Sequence, residues 1–456
     1  MRKILVIGAG KSSSSLISYL LDKSSIENLH IIVADVSLEI AKSKVKNHLN
    51  GSAISLDIFN EVERKKAIQN SDIVISMLPA HLHFSVAKDC LHFKKNMVTA
   101  SYISKEMKSL NEEAIKNNLI FMNEIGLDPG IDHMSAMQVI DSIRNKGGKM
   151  LLFESFTGGL VAPESDDNLW NYKFTWNPRN VILAGHGGAA KFIQEGTYKY
   201  IPYQKLFRRT EIIKIDGYGK FEVYANRDSL NYRSIYGLDD ILTLYRGTVR
   251  RVGFARAWNI FVQLGMTDDS YTMENSENMS YRDFTNSFLA YNPNDSVELK
   301  LRYYLKIDQD DIIWEKLVEL DLFNPNKKVG LKNATPAQIL EKILKDSWTL
   351  KEDDKDMIVM QHLFGYELNG KKQQIESSMV CIGDNQTYTA MAKTVGLPLA
   401  MATLKILNGE ITTPGVQLPI KKEVYEPILK ELKEYGIIFK EKTVPYLGYN
   451  PNNVIS

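Results

Sequence analysis

The feature that most narrows what this chain can become is a strand that ends in glycines and reopens as a helix. Ile4-Leu5-Val6-Ile7 is an unbroken apolar run, Gly8-Ala9-Gly10 follows it directly, and Leu16, Ile17, Leu20 and Leu21 then recur at helical spacing. In that context the glycines read as a nucleotide-binding turn. Gly8 permits the tight bend, Gly10 lets the backbone approach a pyrophosphate, and the helix start supplies free amides and a positive dipole end. Ser13 replaces the third glycine of the usual G-x-G-x-x-G pattern and is small enough for close helix packing. A P-loop reading of Gly10-Lys11-Ser12 fails, because Leu5 stands where that loop needs a glycine.

Asp35 ends the second apolar run, His30 to Ala34. A carboxylate there accepts both ribose hydroxyls of an adenine nucleotide and repels a 2′-phosphate, so NAD is the expected cofactor and NADP is disfavoured. The alternative is a cap on the helix that begins near Ser37. Lys11, beside Ser12, reads as a phosphate contact or as a solvated loop tip. Asp57, after the run Ala53 to Leu56, reads as an adenine-edge contact or a turn carboxylate. Ser76, Leu78 and Pro79 close the third apolar run at the carboxyl end of the sheet, where open α/β folds bind ligands. The cofactor candidates are therefore Gly8, Gly10, Lys11, Ser12, Asp35, Asp57, Ser76, Leu78 and Pro79. His81 and His83 have a spacing compatible with a metal but no third ligand nearby, and no metal is expected.

Beyond this unit the pattern of β-branched runs alternating with helical stretches continues to about Asn123, the signature of a parallel sheet. At 456 residues the chain exceeds one hydrophobic core. Residues 1–124 read as a Rossmann domain, with 425–456 a candidate to pack back on it. Residues 125–265 and 351–424 read as a second α/β domain, and 266–350, with helical spacing and few strand signals, as an all-helical insert. Fifty-six basic against fifty-five acidic residues leave no footprint for nucleic acid or an anionic membrane. Cys90 and Cys381 offer neither a disulfide framework nor a thiolate zinc cage. No stretch is read as reaching the roughly 18 apolar residues of a membrane span, and the apolar run at the N-terminus is too short for a signal peptide. A cytoplasmic location is expected.

The longer motifs carry a family resemblance. Thr99-Ala100-Ser101-Tyr102-Ile103-Ser104 and Asn123-Glu124-Ile125-Gly126-Leu127-Asp128-Pro129-Gly130-Ile131-Asp132-His133 resemble saccharopine dehydrogenase of the glutamate-forming type, also called saccharopine reductase. The likeness continues through Gly158-Gly159-Leu160, Tyr172 to Trp176, Asn226 to Ser229, Arg246 to Arg250, Asp356 to Gly365 and Leu432 to Val444, nearly the whole chain. It implies a homodimer whose subunits hold a Rossmann domain, an α/β substrate and dimerisation domain and an all-helical insert. The implied reaction, in lysine metabolism, oxidises the secondary amine of saccharopine to an imine that water splits into glutamate and 2-aminoadipate 6-semialdehyde, or runs in reverse.

By resemblance, Ser101, Tyr102, Asp128, Gly158, Trp176, Arg227, Thr248 and Arg250 line the substrate site. The chemistry agrees for the arginines, since guanidinium forks bind carboxylates bidentately and saccharopine carries three. The amine must lose a proton and the imine must be hydrated, so a general acid or base is expected. Asp128 and Tyr102 are the candidates; the alternatives are a helix cap for Asp128 and simple packing for Tyr102. His133 reads as a buried structural histidine. Fungal members of that family carry a neutral or basic residue at the position of Asp35 and apolar residues at Lys11-Ser12, and relatives often have Cys at Thr157. Two competing readings stay open: a related imine-forming enzyme such as carboxynorspermidine dehydrogenase, and a non-catalytic nucleotide-binding protein.

Overall fold

The computed structural model describes residues 1–448 and the backbone of Val454–Ile455. Its contacts divide into two compact units, Met1–Gly148 with Met379–Lys440, and Lys149–Ser378 with the segment from Glu441 onward.

The first unit is built on a seven-stranded sheet in the order Gly415–Gln417, Ile120–Met122, Asn96–Thr99, Ile73–Ser76, Arg2–Ile7, Leu29–Asp35, Gly51–Ser55. Every pairing is parallel. Ile4 to Ile7 and Ile73 to Ser76 are fully buried because helices cover both faces of such a sheet, which explains their unbroken apolar character. The chain winds outward in both directions from Arg2–Ile7. The carboxyl ends of that strand and of Ile73–Ser76 therefore flank the topological switch point, where Met77 N–H donates to Ile7 O at 2.8 Å.

Helix Ser14–Lys23 buries the stripe Leu16, Ile17, Leu20 and Leu21. Against it packs helix Ala390–Leu407, so close that a β-carbon on Gly396 would lie 2.8 Å from Leu16 N. This second helix corrects two expectations. It is long and apolar enough to cross a membrane, although no such stretch was read from the sequence, but 72% of it is buried inside the protein and it serves as a core helix. It also brings 379–440 into the first unit, whereas the sequence reading gave 351–424 to the substrate domain. Hydrophobic burial across a long sequence separation made that assignment, and no local pattern encodes it. Helix Lys422–Leu432 follows it there, with Tyr425 Oη donating to Asp141 Oδ2 at 2.8 Å.

The second unit holds a ten-stranded mixed sheet. Lys149–Val161 lies at its centre, parallel to Thr243–Arg251 and antiparallel to Asp356–Leu368. Gly219–Ala225 continues the sheet beyond Thr243–Arg251. Between 266 and 350 the described elements are helices, Tyr281–Asn286, Val297–Leu305, Ile312–Glu319 and Pro336–Trp348. The last of these ends in Trp348, which packs with Trp170, Tyr172, Phe174, Phe254 and Trp258 into one buried aromatic cluster.

Candidate active site

Gly8 takes φ +103, and a β-carbon there would meet Met77 O at 3.0 Å, so the bend needs glycine for the fold itself. Gly10 differs, for its missing side chain leaves open space. Gly10 is exposed, so its backbone is open to close approach by a phosphate. The turn Lys11–Ser13 and the helix from Ser14 have no side-chain cap hydrogen bond. Ser15 Oγ is buried without a partner near this helix start. Free amides, an open cradle and an orphaned hydroxyl fit the pyrophosphate of a dinucleotide. Lys11 is exposed and Ser12 half-buried beside it.

Asp35 sits where expected, at the end of Leu29–Asp35, but its carboxylate is engaged. Oδ2 accepts from Ala9 N–H at 2.8 Å and Oδ1 from Ser37 N–H at 3.0 Å. It braces the glycine turn and the start of the next segment, while the cap of helix Leu38–Val45 is Ser37 itself. Asp57 is exposed and uses Oδ1 to accept Phe59 N–H at 3.0 Å in its own turn.

Ser76 was assigned to the cofactor, yet its hydroxyl is fully buried and lies 2.8 Å from His83 Nδ1. Leu78 is half-buried against the core and Pro79 is exposed, at the start of the turn that leads into helix His83–His92. The other nitrogen of His83 lies 2.6 Å from Ser101 Oγ. Sequence reading weighed His83 only as a metal ligand and missed this link. The available signal was its position, just beyond the carboxyl end of a buried strand. Among the described residues no group of three or more His, Cys, Asp and Glu is placed to hold a metal.

Tyr102 Oη donates to Asp128 Oδ1 at 3.2 Å, so the two acid–base candidates meet. Helix Ile131–Asn145 is capped at Gly130 without a side-chain bond, so Asp128 is not its cap. The loop that carries Asp128 is tight. A β-carbon on Gly130, at φ +146, would overlap Gly126. Below it, buried Glu124 accepts Ile103 N–H at 2.9 Å through Oε1 and pairs with His133 Nε2 at 2.9 Å through Oε2. That pair ties the Ser101–Tyr102 loop to the Asp128 loop.

In the second unit, strand register decides which side chains share a face. Thr248 pairs with Tyr224 on one side and Thr157 on the other, and Arg250 lies two residues along, so all four point the same way. Arg250 is 6% exposed. Its guanidinium carbon lies 5.0 Å from the Tyr172 ring centroid and 5.4 Å from Phe254, Nη1 donates to Val249 O at 2.8 Å, and Nε has no partner. Its register partner is buried Glu222, whose carboxylate accepts Ala255 N–H at 2.5 Å and makes no ion pair with it. The hydroxyls of Thr157 and Tyr172 are likewise buried and unpartnered. Burial pushes the Tyr172 phenol up in pKa, and the Arg250 charge opposes this. Gly158 faces the other way, where a β-carbon would lie 2.2 Å from Val249 O, so packing alone demands glycine. Trp176 is half-buried. Arg227 is exposed at φ +47 after strand Gly219–Ala225, and its carbonyl accepts Lys191 N–H at 2.9 Å.

A parallel sheet wound from a glycine turn at its switch point is the fold of a dinucleotide-binding domain, and the family matches make the protein an NAD(P)-dependent oxidoreductase. Residues 4–122 match the family model for the saccharopine dehydrogenase NADP binding domain, and residues 126–437 match that for the saccharopine dehydrogenase C-terminal domain. The chain belongs to the saccharopine dehydrogenase family. It is 34% identical over 453 residues to saccharopine dehydrogenase [NADP(+), L-glutamate-forming] of Saccharomyces cerevisiae, covering 97% of this chain and 99% of the yeast protein. Against the mitochondrial alpha-aminoadipic semialdehyde synthase of Rattus norvegicus it is 33% identical over 97% of this chain but 48% of that one. The solved structure of the yeast L-Glu-forming enzyme superposes with a TM-score of 0.88 at 33% identity, covering 97% of this chain and all of the other.

These matches overturn the expectation that NAD is preferred. The matching nucleotide domain is NADP-binding and the yeast relatives are named for NADP. The physical reason lies in Asp35. Each of its oxygens accepts one backbone amide, so the carboxylate also braces the glycine turn, and its place at the strand end is not by itself a mark of an unphosphorylated ribose.

Proposed function

We propose that this protein is an L-glutamate-forming saccharopine dehydrogenase that works with NADP, in lysine metabolism. The observation that carries the substrate class is Arg250. Its guanidinium is buried among aromatic rings with Nε unpartnered, and a bidentate carboxylate would satisfy it. Arg227, Thr248 and Trp176 are the further substrate contacts in this unit, with Gly158 contributing backbone only. Ser101, Tyr102 and Asp128 are those of the first unit.

Bound NADP supplies the hydride acceptor at the switch point. The chain's own residues prepare the amine. A secondary ammonium must lose its proton before hydride can leave the adjacent carbon, and in this reading Asp128, which accepts a hydrogen bond from Tyr102, takes it. Water adds to the carbon of the iminium and releases one proton to solvent, and Asp128 returns its proton to nitrogen as the C–N bond breaks to glutamate and 2-aminoadipate 6-semialdehyde. The test is to incubate the protein with saccharopine and NADP, and separately NAD, while following absorbance of the reduced cofactor. No signal with either, from neutral to alkaline pH, would defeat the proposal. A homodimer, implied by the family resemblance, belongs to the same proposal and is tested by the mass of the protein in solution.

A further inference from the structure

Ser76 and Ser101 belong to different parts of the expected site, and one buried imidazole joins them. His83 opens helix His83–His92, directly after the loop that closes strand Ile73–Ser76. Its Nδ1 lies 2.8 Å from Ser76 Oγ, its Nε2 lies 2.6 Å from Ser101 Oγ, and Thr99 Oγ1 stands 3.4 Å from the same Nε2. His83 is 4% exposed. Burial, and secondarily the neighbouring His81, push its pKa down to about 4. The ring is therefore neutral near pH 7, with one nitrogen donating and the other accepting.

The count of neighbours decides which. Nε2 faces two hydroxyl oxygens and Nδ1 faces one. As an acceptor, Nε2 would have a single lone pair for two hydroxyls. As an N–H donor it makes one short bond to Ser101, with Thr99 as a distant second acceptor. Thr99 Oγ1 already accepts Ser101 N–H at 3.3 Å, which fits an acceptor role at this corner. Nδ1 is then the acceptor, and the Ser76 hydroxyl donates to it.

This order of donors has a consequence for Ser101. With His83 N–H on its oxygen, its own proton is directed away from the ring and is free for an external acceptor. We propose that Ser76 and His83 form a positioning device that makes the Ser101 hydroxyl a dedicated donor to a substrate carboxylate. The proposal rests on Ser101 being a substrate contact. It also moves Ser76 from the cofactor to the substrate side of the site.

Two side chains separate the nitrogens of the ring, since Gln places its amide near Nε2 and Asn near Nδ1. His83→Gln keeps a donor for Ser101, while His83→Asn keeps only the partner of Ser76. Expected is a saccharopine KM raised roughly tenfold or more in His83→Asn, the loss typical of one hydrogen bond to a charged group, and a KM near wild type in His83→Gln. Ser76→Ala should raise the saccharopine KM while NADPH affinity, read by fluorescence titration, stays unchanged. In a Ser101→Ala background, His83→Asn should add nothing further. Nitrogen-15 NMR of the labelled imidazole should show the Nε2–H tautomer in the wild type and a shift toward Nδ1–H in Ser76→Ala. Equal KM values in the Asn and Gln variants, an additive double variant, or an Nδ1–H ring in the wild type overturns the proposal. Ser101→Ala with an unchanged saccharopine KM overturns instead the assignment of Ser101 on which it rests.

Discussion

The guanidinium carbon of Arg250 lies 5.0 Å from the centre of the Tyr172 ring, in a site where both side chains are buried and the Tyr172 hydroxyl has no partner. The guanidinium lies against aromatic faces, with its Nε unpartnered and no ion pair to its register partner Glu222, and so has hydrogen-bonding capacity left for an anion. Replacing Arg250 by Met should therefore leave the free protein as stable as before, or more stable by about 1 kcal/mol, because it removes a poorly compensated buried charge. The same change should lower kcat/KM for saccharopine by roughly a hundredfold or more. Arg250→Lys should lose nearly as much, since an ammonium cannot grip a carboxylate with a planar fork. Chemical denaturation and steady-state kinetics check the pair of outcomes; a destabilised Arg250→Met would show that the arginine is structural.

Gly8 and Gly10 should separate cleanly on substitution by Ala. At Gly8 the bend itself is left-handed and the β-carbon would crowd Met77 O, so stability should fall by about 1–3 kcal/mol. At Gly10 the β-carbon meets nothing. Stability should hold, while NADPH affinity should drop by roughly tenfold or more as the methyl enters the phosphate cradle. Melting curves and fluorescence titration distinguish the two.

Asp35→Ala removes the acceptor for Ala9 and Ser37 N–H. A stability loss of about 1–3 kcal/mol is expected, the range for hydrogen bonds to a charged group at a half-exposed site. NADPH affinity should weaken along with the loop. A variant with wild-type stability would return Asp35 to a purely ligand-facing role.

The pH dependence of stability should carry the mark of His83. Its folded pKa, about 4, lies below the unfolded value of roughly 6.5, so the unfolded chain binds more protons between those limits. Stability from this group is complete above about pH 6.5 and is lost as pH falls toward 4, by about 3 kcal/mol in all. His83→Gln should flatten the curve in that window and nowhere else. Denaturant midpoints measured at intervals of pH test this directly.

Lys173 is 1% exposed in its side chain and pairs with Asp167 at 2.8 Å and Asp354 at 2.7 Å. The bridge anchors the segment that carries Tyr172 and Trp176. Lys173→Met leaves the Asp354 carboxylate partly buried and unpaired, so a loss of about 3 kcal/mol is expected. Saccharopine turnover should fall with it. An unchanged melting temperature would refute the anchoring role.

Much of the first unit was readable in the chain. Ile4 to Ile7, Gly8, and the stripe from Leu16 to Leu21 each follow from a local period or a local backbone demand, and each stands where that demand placed it. The spacing of helical residues between 281 and 344 was likewise legible, because an amphipathic helix is a short-range pattern. Asp35 shows the limit of such reading. Its position at the strand end was foreseeable, but whether its oxygens face a ribose or the amides of Ala9 and Ser37 depends on a loop conformation that no spacing encodes. Helix Ala390–Leu407 shows the same limit on a larger scale, since apolar composition alone is shared by a membrane span and a core helix.

The sequence by itself determined the nucleotide fold and the glycine turn, because these depend on periodicity and side-chain size, while the substrate residues came from its resemblance to a family. Only the tertiary structure decided how those residues are used. It joined Ser76 to Ser101 through His83, bound Tyr102 to Asp128, buried Arg250 among aromatic rings, and gave the Asp35 carboxylate the amides of Ala9 and Ser37 to hold. Such outcomes are set by which groups meet across hundreds of residues in a medium too dry to tolerate an unmet hydrogen bond, and that meeting exists only once the chain has closed on itself.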